Sequence, residues 1–368
     1  MKAITFDGTT TGPLLEEVTL EAPRAGEVRV TVAAAGVCHS DLHVQRGEWE
    51  VPMPLVMGHE GSGVVSAVGE GVTSLEVGDH VVLSWVPSCG ECTSCRRGRE
   101  SSCLAAANTV AAQGVLFDGT SRLSRDGQPV HHYLGVSSFA DEVVVPETGA
   151  IKVRKDAPLD TIAIVGCAVA TGVGAVRNTA DVEEGSTVAV IGCGGVGQNV
   201  VQGARLAGAA RIVAIDLADD KLSLARRLGA TDTINSTGID AVAALKEVLP
   251  EGADYVFDAI GRVSTTEDAI AMLALGGAAV IVGLPPVGSQ ARFDPLSLAE
   301  ADQRILGSNY GSVRAHRDIP ALVDEYMAGE LELDVLITAR RPLSEGAAAL
   351  QELAEGRAVR TLLVPSLG

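Results

Sequence analysis

The sequence is short of cations. Lys and Arg number 28 against 47 Asp and Glu, a formal net charge of −19 over 368 residues. Such a surface repels phosphate backbones and anionic lipid, and no basic patch of useful size interrupts it, so neither nucleic acid nor a membrane surface is an expected partner. Long apolar runs are also missing. The longest, residues 162–176, is broken by Gly166, Thr171, Gly172 and Gly174 and falls short of the roughly 18 residues that a spanning helix needs. It reads as a buried segment. The start of the chain, with Asp7 and Gly8 close behind Met1, lacks the apolar core of a secretory signal, and export is not expected. Charged residues make up only 20% against 46% hydrophobic, which excludes a disordered chain, while the length excludes a single small module. No internal repeat or low-complexity linker appears.

What is present is cysteine in a pattern. There are seven, an odd number, and four of them crowd into residues 89–103. In a reducing compartment that crowding favours metal over disulfides. The spacing Cys89-x2-Cys92-x2-Cys95-x7-Cys103 can wrap one Zn²⁺ tetrahedrally with no position left open, which makes a structural site. Gly90 and Gly98 permit the tight turns, and Arg96, Arg97 and Arg99 lie where a cluster of four thiolates and one divalent ion welcomes cations. Two more cysteines and a histidine are scattered: Cys38 in Gly-Val-Cys-His-Ser-Asp-Leu-His, His59 in Gly-His-Glu, and Cys167 in Val-Gly-Cys-Ala-Val-Ala-Thr-Gly. Singly, an apolar-context cysteine such as Cys167 reads as core packing. Beside a Cys₄ lobe and a nucleotide motif in the same chain, the three suggest a second zinc with one coordination position open, the arrangement of a catalytic metal. Asp41 is placed to orient His59 through its other ring nitrogen. Ser40 and His43 add a hydroxyl and an imidazole able to relay a proton to solvent, the plainer reading of His39 and His43 being solvent-facing loop residues.

The first 160 residues hold short Val-rich runs punctuated by Gly and Pro, at 27–32, 63–68, 79–83 and 142–145, the pattern of an irregular, mainly β region. From residue 187 strand-like runs (187–191, 211–215, 231–234, 254–259, 278–282, 304–307) alternate with helix-like stretches such as 218–228 and 265–275. This predicts a parallel sheet covered by helices on both faces. Gly192, Gly194 and Gly197 supply G-x-G-x-x-G between the strand at 187–191 and a helix at 195–207, and Asp216 ends the next strand. The glycines admit a pyrophosphate at the helix N-terminus, and Asp216 would bond a free ribose 2′-OH, so NAD is preferred over NADP. The remaining cysteine, Cys193, need only be small. After residue 307 two further helix-like stretches, 318–327 and 344–353, and an apolar 361–364 form a tail expected to return to the first domain.

These residues together resemble the zinc-dependent medium-chain alcohol dehydrogenases over nearly the whole chain. The resemblance implies an α/β protein with a GroES-like, mainly β catalytic domain at 1–168 carrying the zinc lobe 89–103. A Rossmann NAD-binding domain with a doubly wound, six-stranded parallel sheet follows at 169–308, and residues 309–368 return to the catalytic domain. Two Zn²⁺ and NAD are the implied cofactors. Cys38, His59 and Cys167 would hold the catalytic zinc with Glu60 behind it, and Ser40 would pass the alcohol proton through the cofactor ribose to His43. His39 and Arg360 match positions that approach the pyrophosphate, Thr171 and Val196 residues behind the nicotinamide, and Lys221 a contact to the adenosine ribose, joining Gly195 in the glycine turn. Residues 117–122 through 131–135 resemble a loop of dimeric members, so a homodimer is expected, in the cytoplasm. Trp49, Trp85 and Leu134 match substrate-channel positions, which implies a primary aromatic, allylic or alkyl alcohol and its aldehyde. The alternative is a thiol-dependent formaldehyde dehydrogenase. Residues 104–116 contain neither Lys nor Arg, which speaks against glutathione but not against a neutral thiol. A zinc-free quinone reductase or a non-catalytic NAD-binding protein would have no need of these ligands and relay residues.

Overall fold

The computed structural model describes residues 1–9 and 12–367. Its contacts divide into two units: the residues up to Cys167 together with those from Arg314 onward, and Ala168–Val313.

The first unit is built around the long strand Glu27–Val37. Its Val28, Val30 and Val32 point to one face and alternate with Arg29 and Thr31, so one side meets a core shared with Val65, Val81, Leu83, Val143 and Val145. Gly61–Val68 and Glu142–Pro146 pair with it antiparallel. So does the tail strand Arg360–Leu363, in the register Thr361 to Val37. That pairing carries residues near the C-terminus to the strand end from which Cys38 follows. The sheet is completed by His80–Leu83 and Ala150–Val153 on one side and by Ile337–Arg341 on the other. A second sheet takes Leu14–Glu17, Lys2–Phe6, Leu55–Val56, Gln128–His132, Leu123–Arg125 and Thr19–Leu20 in that order. Sequence patterning picks up little of this second sheet, because strands of two to five residues carry too short a period.

The second unit is a six-stranded, wholly parallel sheet. Its order is Asp232–Asn235, Arg211–Asp216, Thr187–Ile191, Ala253–Asp258, Leu273–Ile281, Arg304–Gly307. The order reverses between Thr187–Ile191 and Ala253–Asp258, and in such sheets ligands bind outside the carboxyl ends of the strands at that switch. Two sequence expectations are displaced. The helix expected to run to 275 is Val263–Ala271, because Leu273 is taken by the ladder opposite Ala253 and the strand starts there rather than at 278. Residues 309–313 stay with this unit: the Thr179 hydroxyl meets those of Ser308 and Ser312 at 2.9 and 2.8 Å, and the Asn178 side-chain amide donates to the Gly311 carbonyl. The return to the first unit falls at Arg314 rather than at 309. No single helix among the described residues is long and apolar enough to cross a membrane.

One buried ionic cluster secures the smaller sheet of the first unit. Arg122 is fully buried and donates to both carboxylate oxygens of Glu27 and to Asp118. Its backbone N–H donates to Nε2 of His132 at 3.1 Å, so that nitrogen must stay unprotonated. Burial, assisted by the Arg122 charge, pushes the His132 pKa from 6.5 down to about 3. As pH falls the unfolded chain therefore takes up this proton first, and the folded state loses stability below pH 6.5. The loss runs at about 1.4 kcal/mol per pH unit from this residue, or about 2 kcal/mol by pH 5. Unfolding free energies in water from urea titrations at pH 7.5 and 5 should differ by about 2 kcal/mol more in the wild type than in His132→Gln.

Candidate active site

Cys38 ends the central strand region and is the N-cap of the helix His39–Gln45. Asp41, at the third helical position, reaches back to accept the Cys38 backbone N–H at 3.0 Å, which closes a capping box. The other oxygen of the same buried carboxylate lies 3.3 Å from His59 Nδ1. One side chain thus starts the helix and fixes the ring of His59. With Nδ1 engaged, Nε2 of His59 is left buried and without a hydrogen-bond partner. Tyr133 holds the ring from another side, edge-on with centroids 5.5 Å apart, while its hydroxyl donates to the Ser40 carbonyl at 3.1 Å.

The ligand atoms of Cys38, His59 and Cys167 lie within 4.8 Å of one another, and all three residues are buried. Their electrostatics call for a cation. The Cys38 thiol is held well below its ordinary range, chiefly by its hydrogen bond with Cys167, whose own pKa rises in turn, so the two sulfurs share a proton. Burial opposes an imidazolium at His59, yet Asp41 and the Cys38 sulfur outweigh it and raise the pKa to about 10. A metal ion answers the same field and displaces these protons. Two thiolates and a neutral imidazole on Zn²⁺ balance its charge, and the unpartnered Nε2 is the nitrogen such an ion would use, so the donor set fits zinc.

Glu60 is fully buried behind these ligands, and its carboxylate lies 3.2 Å from Arg360. Room for it depends on Gly36, where a Cβ would sit 2.1 Å from the Glu60 oxygen. Arg360 also donates to the Val37 carbonyl at 2.9 Å. Burial works against its charge, but Glu60 and the two sulfurs hold the guanidinium charged. Arg360, expected from sequence to approach the pyrophosphate, is thus anchored by Glu60 and the Val37 carbonyl.

Cys89, Cys92, Cys95 and Cys103 also bring their sulfurs within 4.8 Å of one another. Backbone N–H groups point at them: Cys92 donates to the Cys89 sulfur at 3.3 Å, and Cys89 and Ala106 to that of Cys103 at 3.4 and 3.5 Å. Donation from the backbone of Cys95 and Leu104 lowers the Cys92 thiol to about 6, whereas burial and its neighbours push Cys95 up to about 12. This nest suits four thiolates around one zinc. Arg314, where the chain re-enters the first unit, donates to the Gly98 carbonyl at 3.0 Å and ties the lobe down.

In the second unit Gly197 packs so closely on the glycine turn that a Cβ there would lie 1.7 Å from the Gly192 carbonyl, whereas nothing stands within 4 Å of that position at Gly194. The N-terminus of the helix Gly195–Leu206 is thus open to an anion. Asp216 accepts the backbone N–H groups of Cys193, Leu217 and Ala218 at 2.7, 2.7 and 3.0 Å, which fixes its carboxylate at the end of its strand. Lys221 accepts a bond from Gln198 through its carbonyl. A Cβ on Gly172 would come within 2.5 Å of the Val196 carbonyl, so Thr171 and Val196 lie on closely packed elements.

Of the remaining sequence candidates, all but Trp85 lie on the helix His39–Gln45 or against the apolar cluster that it joins. His39 is exposed and Ser40 half-buried, 3.9 Å from the Cys38 sulfur. His43 stacks on Trp49 with centroids 4.6 Å apart and an interplanar angle of 16°, and bonds Glu48 through Nδ1. Trp49 and Leu134 pack on one apolar cluster with Leu42, Met57 and Tyr133, while Trp85 packs on the cluster around Val28 and Leu83 instead. Sequence reasoning passed over Tyr133 and Glu48. Tyr133 was visible only as part of the 131–135 loop, and Glu48 only as an acid after Gly47.

The alcohol dehydrogenase GroES-like domain model matches residues 24–155, and the zinc-binding dehydrogenase model matches residues 195–328. S-(hydroxymethyl)glutathione dehydrogenase of Paracoccus denitrificans is 41% identical over 95% of both chains. The chain belongs to the zinc-dependent medium-chain alcohol dehydrogenase family. Alcohol dehydrogenase class-3 of Cereibacter sphaeroides is likewise 41% identical over 95% of both chains. Benzyl alcohol dehydrogenase of Acinetobacter calcoaceticus is 34% identical, with a TM-score of 0.93 over 99% of this chain and 98% of its own. This dehydrogenase is accordingly an NAD-dependent zinc oxidoreductase acting on CH–OH, with a GroES-like and a Rossmann domain.

Two outcomes follow. Metal analysis should give two zinc per chain in the wild type and one in Cys167→Ala, with turnover lost. Asp216→Ala removes a charged acceptor from three N–H groups, each worth about 1.5–3 kcal/mol, and should weaken NAD binding at least tenfold in a fluorescence titration.

Proposed function

We propose that this dehydrogenase oxidises a terminal CH₂OH group with NAD as acceptor, a hydroxymethyl thiol to its S-formyl thioester or a primary alcohol to its aldehyde. Its preferred substrate in this reading is the adduct of formaldehyde with an uncharged thiol. The buried Cys38, His59, Cys167 set with the unpartnered His59 Nε2 carries the redox reading. The curated relatives at about 40% identity, named for S-(hydroxymethyl)glutathione, support the adduct. Residues 104–116, without Lys or Arg, offer no partner to an acidic thiol, hence the uncharged one. A primary aromatic, allylic or alkyl alcohol is the second reading, favoured by Trp49 and Leu134 on one apolar cluster and by the likeness to a benzyl alcohol dehydrogenase.

In either case one hydride passes from carbon to the nicotinamide and one proton leaves the hydroxyl. Zinc, when bound, supplies Lewis acidity that lowers the pKa of a coordinated water from 15.7 to about 7, or about 12 kcal/mol. Cys38, His59 and Cys167 hold that ion, while Asp41 sets the His59 tautomer and the Glu60–Arg360 pair backs the site. Ser40 takes the hydroxyl proton and His43 passes it to solvent, worth about 10²- to 10⁴-fold. Gly192, Gly194, Gly195 and Gly197 receive the pyrophosphate, Asp216 and Lys221 the adenosine ribose, and Thr171 and Val196 the nicotinamide. A homodimer in the reducing cytoplasm suits seven free cysteines and the 117–135 loop.

Initial rates of NAD reduction with formaldehyde, alone and with glutathione or a neutral sugar thiol, decide between the readings. The adduct reading expects formaldehyde oxidation only with added thiol, and faster with the neutral one. Turnover of benzyl and allylic alcohols with no thiol-dependent formaldehyde oxidation would leave the second reading standing.

A further inference from the structure

The segment after the helix His39–Gln45 has a geometry that the relay leaves unexplained. Gly47, at φ +67°, ends the helix in the left-handed conformation. Its N–H donates to the Val44 carbonyl at 3.0 Å, and the N–H of Glu48 donates to the His43 carbonyl at 2.9 Å. These two bonds are those of a Schellman motif, in which the second residue past the cap folds back over the third-last helical residue. That contact is ordinarily apolar. Here it is polar, because the Glu48 carboxylate accepts from Nδ1 of His43. Trp49, next in sequence, stacks flat on the same ring. The His43 and Glu48 side chains are 19% and 29% exposed, so the pair is partly shielded yet open to solvent. A carboxylate can only accept, so Nδ1 must carry a hydrogen, and the lone pair of the neutral ring must lie on Nε2.

We propose that Glu48 is the positioning residue of the proton relay: it fixes His43 as the Nδ1–H tautomer and so presents Nε2 as the proton acceptor. This rests on the relay role given to His43 above. For each hydride transferred, one proton reaches Nε2 and the ring becomes an imidazolium donating to the Glu48 carboxylate, with the indole face of Trp49 against it. The proton then leaves to water, and the ring returns to its starting tautomer. The end of a helix also favours a cation at this position. Glu48 never touches substrate or cofactor in this scheme. It acts through the ring.

The test uses the zinc-loaded enzyme and Glu48→Gln, an amide of the same shape that can offer its N–H₂ to Nδ1 and so favour the opposite tautomer. Nitrogen chemical shifts of ¹⁵N-histidine-labelled protein, with His43 assigned by its loss in His43→Gln, read the tautomer without any turnover. Nδ1–H is expected in the wild type and an increase of the Nε2–H form in Glu48→Gln, whereas Nε2–H in the wild type would overturn the proposal. Where the enzyme turns over, kcat for alcohol oxidation should fall about tenfold in Glu48→Gln, with zinc content and the KM for NAD unchanged and a larger solvent deuterium isotope effect. In a His43→Gln background the same substitution should cost nothing further. An equal loss in both backgrounds, or no loss in either, would refute the positioning role. Absence of turnover with every alcohol would refute the proposed function and leave the tautomer measurement to decide this point alone.

Discussion

A nest of acceptors at the end of one strand sets the terms for the first unit. Two sulfurs, an imidazole nitrogen and two carboxylates, of Asp41 and Glu60, come together buried, and negative charge there must be matched or expelled. Arg360 matches Glu60, and Asp41 is matched by a backbone N–H and the His59 ring. The sulfurs and the free nitrogen of His59 remain, and a divalent cation is the species that completes the balance. The fold serves this arrangement. The tail strand enters the sheet beside Val37 so that Arg360 can reach Glu60, and Gly36 lacks a side chain so that Glu60 has room.

A second regularity links metal and nucleotide chemistry. At three turns one aspartate gathers nearby backbone N–H groups. Asp41 takes that of Cys38, Asp216 takes those of Cys193, Leu217 and Ala218, and Asp258 takes those of Ile260 and Gly261 and the Thr266 hydroxyl as well. Such charge-assisted bonds are roughly twice as strong as neutral ones, and they hold irregular backbone in a single form. In the first case the aspartate also aims a metal ligand, which is how a helix cap becomes part of a catalytic site.

The sequence was legible where chemistry is local. Four cysteines within fifteen residues, the glycine turn between a strand and a helix, and Asp216 at the next strand end needed no tertiary information. Asp41 could be paired with His59 because a carboxylate commonly orients the other ring nitrogen of a metal-holding histidine. Arg360 was different: its partner Glu60 lies 300 residues away (360 − 60), and only the parallel and antiparallel ladders of the assembled sheet bring the two together. Helix periodicity overran Ala271 because Leu273 and Leu275 continue an apolar pattern, which the pairing with Ala253 then claimed. Glu48 carries no local signal of its role, since an acid one residue past Gly47 does not reveal its partner in sequence. The structure shows it folded back onto His43.

X-ray anomalous diffraction at the zinc edge, from crystals of the purified protein, tests the central claim most directly. Two peaks are predicted: one among the sulfurs of Cys89, Cys92, Cys95 and Cys103 at about 2.3 Å, the other on the sulfurs of Cys38 and Cys167 and on Nε2 of His59. A second site without zinc, or zinc bound there through Nδ1 of His59 with Asp41 displaced, would contradict the account.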